Sequence, residues 1–235
     1  EQSAVRGGFN AVVRSGDVVV ATHSELGIRE WNWSDGKPCA PRFADWTRSA
    51  KAVRNLAQFD GDLFCSIDDR VVRWRPDAQT SQPDAIYSGA GSVISAIEPA
   101  DQGVYAGTSE GDLLFWPTRT TNNPELLERG MNRAMESIWM QRFHGVRRLV
   151  YTDTSPRVHA RVVGDNFTFH YEAGGQTLRR VEVAPDLLVA TNELRERLFV
   201  WSSGKPNQPL GVIGVGALLG RNIQDVCLVP ADSSA

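Results

Sequence analysis

Four histidines, His23, His144, His159 and His170, are the side chains of this 235-residue chain best suited to bind a metal or to move a proton. No two stand four residues apart, and neither H-x-H nor H-E-x-x-H occurs. A zinc site needs three or four convergent ligands, so these spacings assign no metal ligand. His23 reads as a turn histidine. Carboxylates pair at Asp60/Asp62, Asp68/Asp69 and Glu110/Asp112. Such pairs can do general acid–base work when their surroundings separate their pKa values. Here each falls in a polar turn, where Asp is favoured for backbone reasons alone, and no Asp-x-Asp-x-Asp-Gly calcium loop occurs. Residues 214–220 (GVGALLG) approach a dinucleotide-binding loop, but the last gap is one residue too long and no βαβ context surrounds them. No catalytic, cofactor-binding or metal residue is assigned, and no cofactor is expected.

The bulk composition agrees with a chain that binds without a strong field. Its net charge of −3 gives no electrostatic case for nucleic acid or an anionic membrane surface. No apolar run reaches the ~18–20 residues a membrane helix needs. Three cysteines, Cys39, Cys65 and Cys227, are an odd number without metal-like spacing, which predicts reduced thiols and a cytoplasmic location. Two sequons, at Asn32 and Asn166, read as coincidence in that setting. The chain opens on Glu1 rather than Met, as a trimmed or processed piece would.

The elements that must position any site come from a repeat. Residues 103–116 (GVYAGTSEGDLLFW) read as strand, tight turn and strand closing on Trp, and residues 18–33, 63–74 and 187–201 follow the same plan. Aligned on Trp33, Trp74 and Trp116, the copies are 41 and 42 residues apart, with Tyr171 and Trp201 continuing the series less evenly. A period in the low forties with strand-sized apolar runs is a propeller signature. The expected fold is all-β: one propeller domain over residues 1–235, with four-stranded antiparallel blades at about 9–45, 53–88, 93–128, 136–173 and 178–214. Turns such as Asp60-Gly61 and His144-Gly145 mark the hairpins. Blade one takes its fourth strand near residues 40–43, and a helical turn is expected around residues 126–135. Residues 223–229 (IQDVCLV) resemble the opening strand of another blade, so either five blades close with an extra strand or the ring has six or seven.

The strand–turn–strand-Trp units at residues 63–74, 103–116 and 187–201 resemble the WD40-like β-propeller family. The Gly-His and Trp-Asp pairs of that family are missing, the latter replaced by Trp74-Arg75, Trp116-Pro117 and Trp201-Ser202. The resemblance implies a rigid disc whose loops bind proteins, peptides or small molecules. The recurrent Trp side chains are expected to fill the space between blades.

Loops joining the second and third strands differ from blade to blade and carry the expected partner contacts: His23 and Glu25 in blade one, Arg70, Glu110, and Arg195 with Glu196 in blade five. Trp46, in a loop beside Arg42 and Arg48, is the expected aromatic anchor. The expected function is a non-enzymatic scaffold, or a regulatory or sensory propeller of a longer bacterial protein or multiprotein complex. Its partner is another protein or peptide, including domains or chains that complete the propeller, with no nucleic acid and no membrane. The alternative is a metal-dependent hydrolase or lyase with its site at the channel mouth.

Overall fold

Two-residue turns set the order of the strands. Asp60-Gly61 and His144-Gly145 all take positive φ (49°, 81°, 47° and 80°), the geometry that matches the twist of the strands they join. The computed structural model describes residues 9–23, 27–39, 53–75, 82–118, 120–130 and 133–214, and no helix occurs among them.

Blade one has β1 (Phe9–Ser15), β2 (Val18–His23) and β3 (Gly27–Asn32). Blade two has β4 (Val53–Phe59), β5 (Asp62–Ile67), β6 (Arg70–Trp74) and β7 (Ala85–Tyr87). Blade three has β8 (Ile94–Ala100), β9 (Gly103–Thr108), β10 (Leu113–Pro117) and β11 (Glu125–Glu128). Blade four has β12 (Ser137–Phe143), β13 (Val146–Thr152), β14 (Arg157–Val162) and β15 (Thr168–Glu172). Blade five has β16 (Leu178–Val183), β17 (Leu187–Asn192), β18 (Arg197–Ser202) and β19 (Gly211–Gly214).

Among the described residues every sheet is an antiparallel meander in sequence order, and the five of them are the blades of an all-β propeller fold. The blades divide into two compact units: Glu1–Met131 with blades one to three, and Asn132–Ala235 with blades four and five.

Within each unit, blades pack face to face. Trp74, Leu63 and Cys65 of blade two meet Val20 and Ile28 of blade one. Trp116, Val104 and Ala106 of blade three meet Phe64, Val71 and Tyr87 of blade two. In the second unit Trp201, Leu188 and Ala190 of blade five meet Val150, Val158 and Tyr171 of blade four. A tyrosine on the fourth strand of one blade therefore stands edge-on to the third-strand Trp of the next. Tyr87 to Trp116 is 6.3 Å at 66°, and Tyr171 to Trp201 is 6.1 Å at 67°. Each fully buried Trp contributes ~3 kcal/mol by burial, and the edge-on pair adds ~1 kcal/mol.

Two expectations are corrected. The helical turn around residues 126–135 is displaced by strand β11, because Glu125, Leu126 and Glu128 pair with β10. Trp33 is 57% exposed in the turn after β3, with the Arg14 guanidinium 4.6 Å from its ring. The counterpart of Trp74 in blade one is Trp31, which pairs with Val19 as Trp74 pairs with Leu63. Tyr171 lies on the fourth strand of its blade, the strand expected for residues 167–172 and one strand later than the Trp residues of the series. The expected fourth strand at residues 40–43 and the strand at 223–229 lie outside the described residues, and blade one's described part ends with a bridge between Trp31 and Pro38.

Candidate functional site

The loops between second and third strands are built by the same bonds in both units. In the first, Ile94 at the start of β8 donates its N–H to Asp68 O (2.8 Å) in the blade-two loop, and Ser109 in the blade-three loop donates to Val93 O (2.8 Å). In the second, Leu178 donates to Ser155 O (2.8 Å), and Glu193 donates to Thr177 O (2.8 Å). A loop is thus tied to the innermost strand of the following blade, and that strand is tied to its own blade's loop. The innermost strands bend there. The ladder slips between Val53 and Leu56, between Ile94 and Ala96, and between Leu178 and Val181. Such bulges re-aim the backbone at the end of a strand.

The loop tips are also fixed locally. Thr108 Oγ1 accepts from Asp112 N (3.0 Å), and Asp112 Oδ1 accepts from Gly130 N (2.8 Å). Asn192 Oδ1 accepts from both Glu196 N and Arg197 N (2.9 and 3.0 Å). Asp68, Thr154 and Arg195 hold φ of 52°, 58° and 57°, the left-handed region that short loops require.

On these frames Arg70, Glu110 and Glu196 are exposed and Arg195 is half-buried. Arg70 lies 3.5 Å from the Asp69 carboxylate. His23 is placed differently from its sequence reading: it ends β2, pairs with Phe9 and Gly27, and is 5% exposed. Glu25 and Trp46 lie outside the described residues.

The blade-four loop holds a polar cluster that no spacing rule marks. His159 Nε2 lies 3.0 Å from Asp153 Oδ1 and 3.3 Å from Ser155 Oγ. Its ring stacks on Tyr151 (4.9 Å, 10°) and meets His170 edge-on (4.8 Å, 87°). Burial works to raise the Asp153 carboxyl, but hydrogen bonds from His159 and Ser155 and the His159 charge outweigh it and bring it down to about 2. The composition is that of a Ser–His–Asp triad, but the geometry is not. A triad puts the carboxylate on one ring nitrogen and the nucleophile on the other. Here both meet Nε2, while Nδ1 is buried with no partner. A proton on Nε2 directed at Asp153 leaves no base for Ser155. The cluster orients the loop.

Residues 107–111 (GTSEG) spell G-x-S-x-G, which in a nucleophile elbow occupies a strand-to-helix turn. Here they bridge the β9–β10 hairpin, with Ser109 exposed. Among the described residues no three His, Cys, Asp or Glu side chains form a group that could hold a metal ion. Cys39 and Cys65 are free thiols, and burial pushes the Cys65 thiol far above its usual range, out of reach of thiolate chemistry.

A second network joins blades four and five. Arg148, 4% exposed, donates Nε to Gln141 Oε1 (2.8 Å) and Nη2 to Ser203 O (3.0 Å), and lies 4.3 Å from the Phe143 ring. Tyr171 donates its hydroxyl to the same Ser203 O (2.7 Å). Burial draws Arg148 down from its usual range and pushes Tyr171 up. This guanidinium fastens two blades through carbonyl and amide oxygens.

No model of a known protein family matches the chain. The crystal structure of the computationally designed Ika8 protein is similar over 87% of this chain and 61% of that one, with TM-score 0.67 and 16% identity, a likeness of fold alone. Ovocleidin-17 of Gallus gallus is 54% identical over 54 residues, which are 22% of this chain and 37% of that protein. The chain thus spans less than two thirds of either, and the ovocleidin match is too short to carry a functional argument. No described helix is long and apolar enough to cross a membrane.

Proposed function

We propose that this chain is a non-enzymatic interaction scaffold that holds a protein or peptide partner on the loops joining the second and third strands of its blades. The observation that supports this most is the repeated stitching of those loops to the next blade, Asp68 to Ile94 and Ser155 to Leu178. A loop already fixed loses little freedom when a partner binds, so more of the contact energy appears as affinity. In the first unit Arg70 and Glu110 present opposite charges on two such loops; in the second Arg195 and Glu196 share one. Charges at a rim choose the partner and its register more than they set raw affinity. Buried His23 is left out of this surface. The reading carries with it the WD40-like kinship and a cytoplasmic, bacterial, multiprotein setting.

The experiment is a quantitative pull-down with the wild type and with Arg70→Glu, Glu110→Arg and Arg195→Glu. A distinct fall in partner recovery with at least one reversal is expected, while Asp60→Arg, in the turn between first and second strands, retains it. Unchanged recovery with all three would overturn the assignment.

A further inference from the structure

One interface recurs between blades inside each unit, and blades one and five each leave one half of it uncovered. In blade three Ile97, Val104, Ala106 and Trp116 form the half that faces the preceding blade, and all four are buried. In blade five Val181, Leu188, Ala190 and Trp201 do the same. Strand pairing puts Val12, Val19, Ala21 and Trp31 of blade one at these positions. Val12 pairs with Ala21 as Ile97 pairs with Ala106, and Val19 pairs with Trp31 as Val104 pairs with Trp116. Yet Val12 is 60% exposed, and Val19 and Trp31 are only half-buried. The other half is open in blade five. In blade two Phe64, Val71 and Tyr87 face the following blade and are buried. Their counterparts by pairing are Val189, Leu198 and Ile213. Val189 is buried, but Leu198 is half-buried and Ile213 is 51% exposed.

We propose that copies of this chain associate head to tail, blade five of one copy packing on blade one of the next. The occupant follows from the interfaces already built. A face of the Val12–Trp31 kind is covered, in blades three and five, by a face of the Val189–Ile213 kind. Ile213 of one copy then lies on Trp31 of the next, as Tyr87 lies edge-on to Trp116. Val189 and Leu198 complete the apolar seam with Val12 and Val19. Charge fits the same arrangement. Glu182 pairs with Val189 and so stands on the open face of blade five. Arg14 pairs with Val19, and Arg29 with Ala21, on the open face of blade one. Opposite charges across the seam fix its direction and register. The two halves complement each other and not themselves, so the contact is heterologous. It uses sheet faces and leaves the loops between second and third strands free for another partner.

Sedimentation velocity on the full chain over rising concentration tests this. The wild type should pass from one copy to larger species. Val12→Glu and Ile213→Glu change exposed residues, so each variant should fold as the wild type does yet associate roughly tenfold or more weakly. An equimolar mixture of the two variants should recover a two-copy species and nothing larger. One junction stays intact in it, between blade five of the Val12 variant and blade one of the Ile213 variant. Phe167→Glu, as exposed on blade four, should leave association unchanged. Arg70→Glu should leave it unchanged too, so this proposal and the loop surface can fail separately. A wild type that stays a single copy at every concentration, as when anything other than a second copy covers these faces, would overturn the proposal. So would association insensitive to either variant, its loss with Phe167→Glu, or a variant mixture that stays single-copy, the result of a contact between like faces.

Discussion

Replacing Trp116 with alanine should destabilise the first unit by ~4 kcal/mol, while the same change at Trp33 should cost less than ~0.5 kcal/mol. Both residues close a copy of the same repeat, but Trp116 is wholly buried and Trp33 is 57% exposed. For Trp116 the lost burial is worth ~3 kcal/mol and the edge-on contact with Tyr87 ~1 kcal/mol. The indole N–H given to Ser88 O at 2.9 Å adds ~1 kcal/mol, and partial collapse of the cavity returns some of the total. For Trp33 only an exposed stack with Arg14 is lost. Trp116→Phe keeps a ring but not the hydrogen bond, and should fall between them at ~2 kcal/mol. Urea unfolding followed by hydrogen exchange in β5, β6, β9 and β10 resolves the first unit from the second. A Trp33 variant as unstable as the Trp116 one, or a Trp116 loss under ~1 kcal/mol, would refute the assignment of this Trp position to packing between blades.

Three further outcomes follow from the geometry. Asp153, held down to about 2 with its side chain 22% exposed, lends stability present above about pH 4 that fades as pH falls toward 2. Screening reduces the ~2 kcal/mol implied to ~1 kcal/mol, and Asp153→Asn should flatten that acid limb in pH-dependent denaturation. Arg148→Ala should cost the second unit ~3 kcal/mol, because Gln141 Oε1 loses its donor inside the protein; Arg148→Met, which keeps the stem over Phe143, should cost less when both are compared by thermal melting. Gly103→Ala should damage the first unit far more than Gly16→Ala by the same measurement. At Gly103, φ is 150° and a Cβ would collide with the Trp116 carbonyl, whereas nothing lies within 4 Å of one at Gly16.

The blades were legible because hairpin turns and strand-closing aromatics recur at a fixed period, and both are local signals. The position of Trp33 was not. In Trp31-Asn32-Trp33 the two indoles share the parity of one strand face, so the point where the strand ends decides which stays half-buried in the strand and which stands exposed. That point is set by Asn32, whose Oδ1 accepts from Ser34 N (2.9 Å) and whose carbonyl accepts from Gly36 N (2.9 Å), closing a turn that contains Trp33. His23 was misplaced for a related reason: alternation from Val19 and Ala21 extends one residue further than the polar run Ser24-Glu25 suggests. His159 and His170 stand eleven residues apart and look unrelated by spacing, yet the hairpin at residues 164–166 brings them directly opposite. The turn was visible, and folding the sequence about it would have paired them. Arg148 carries no such signal, since an arginine in a strand reads as solvent-facing until neighbouring oxygens are known.

The central claim is that partners dock on the loops between second and third strands. Hydrogen exchange of the chain with and without a partner recovered by the pull-down tests it most directly. The account predicts slowed exchange at residues 68–70 and 109–112 in the first unit or 193–197 in the second, with the turns at 15–17 and 60–62 unchanged. Slowing confined to those turns, with the loops exchanging as in the free chain, would contradict it.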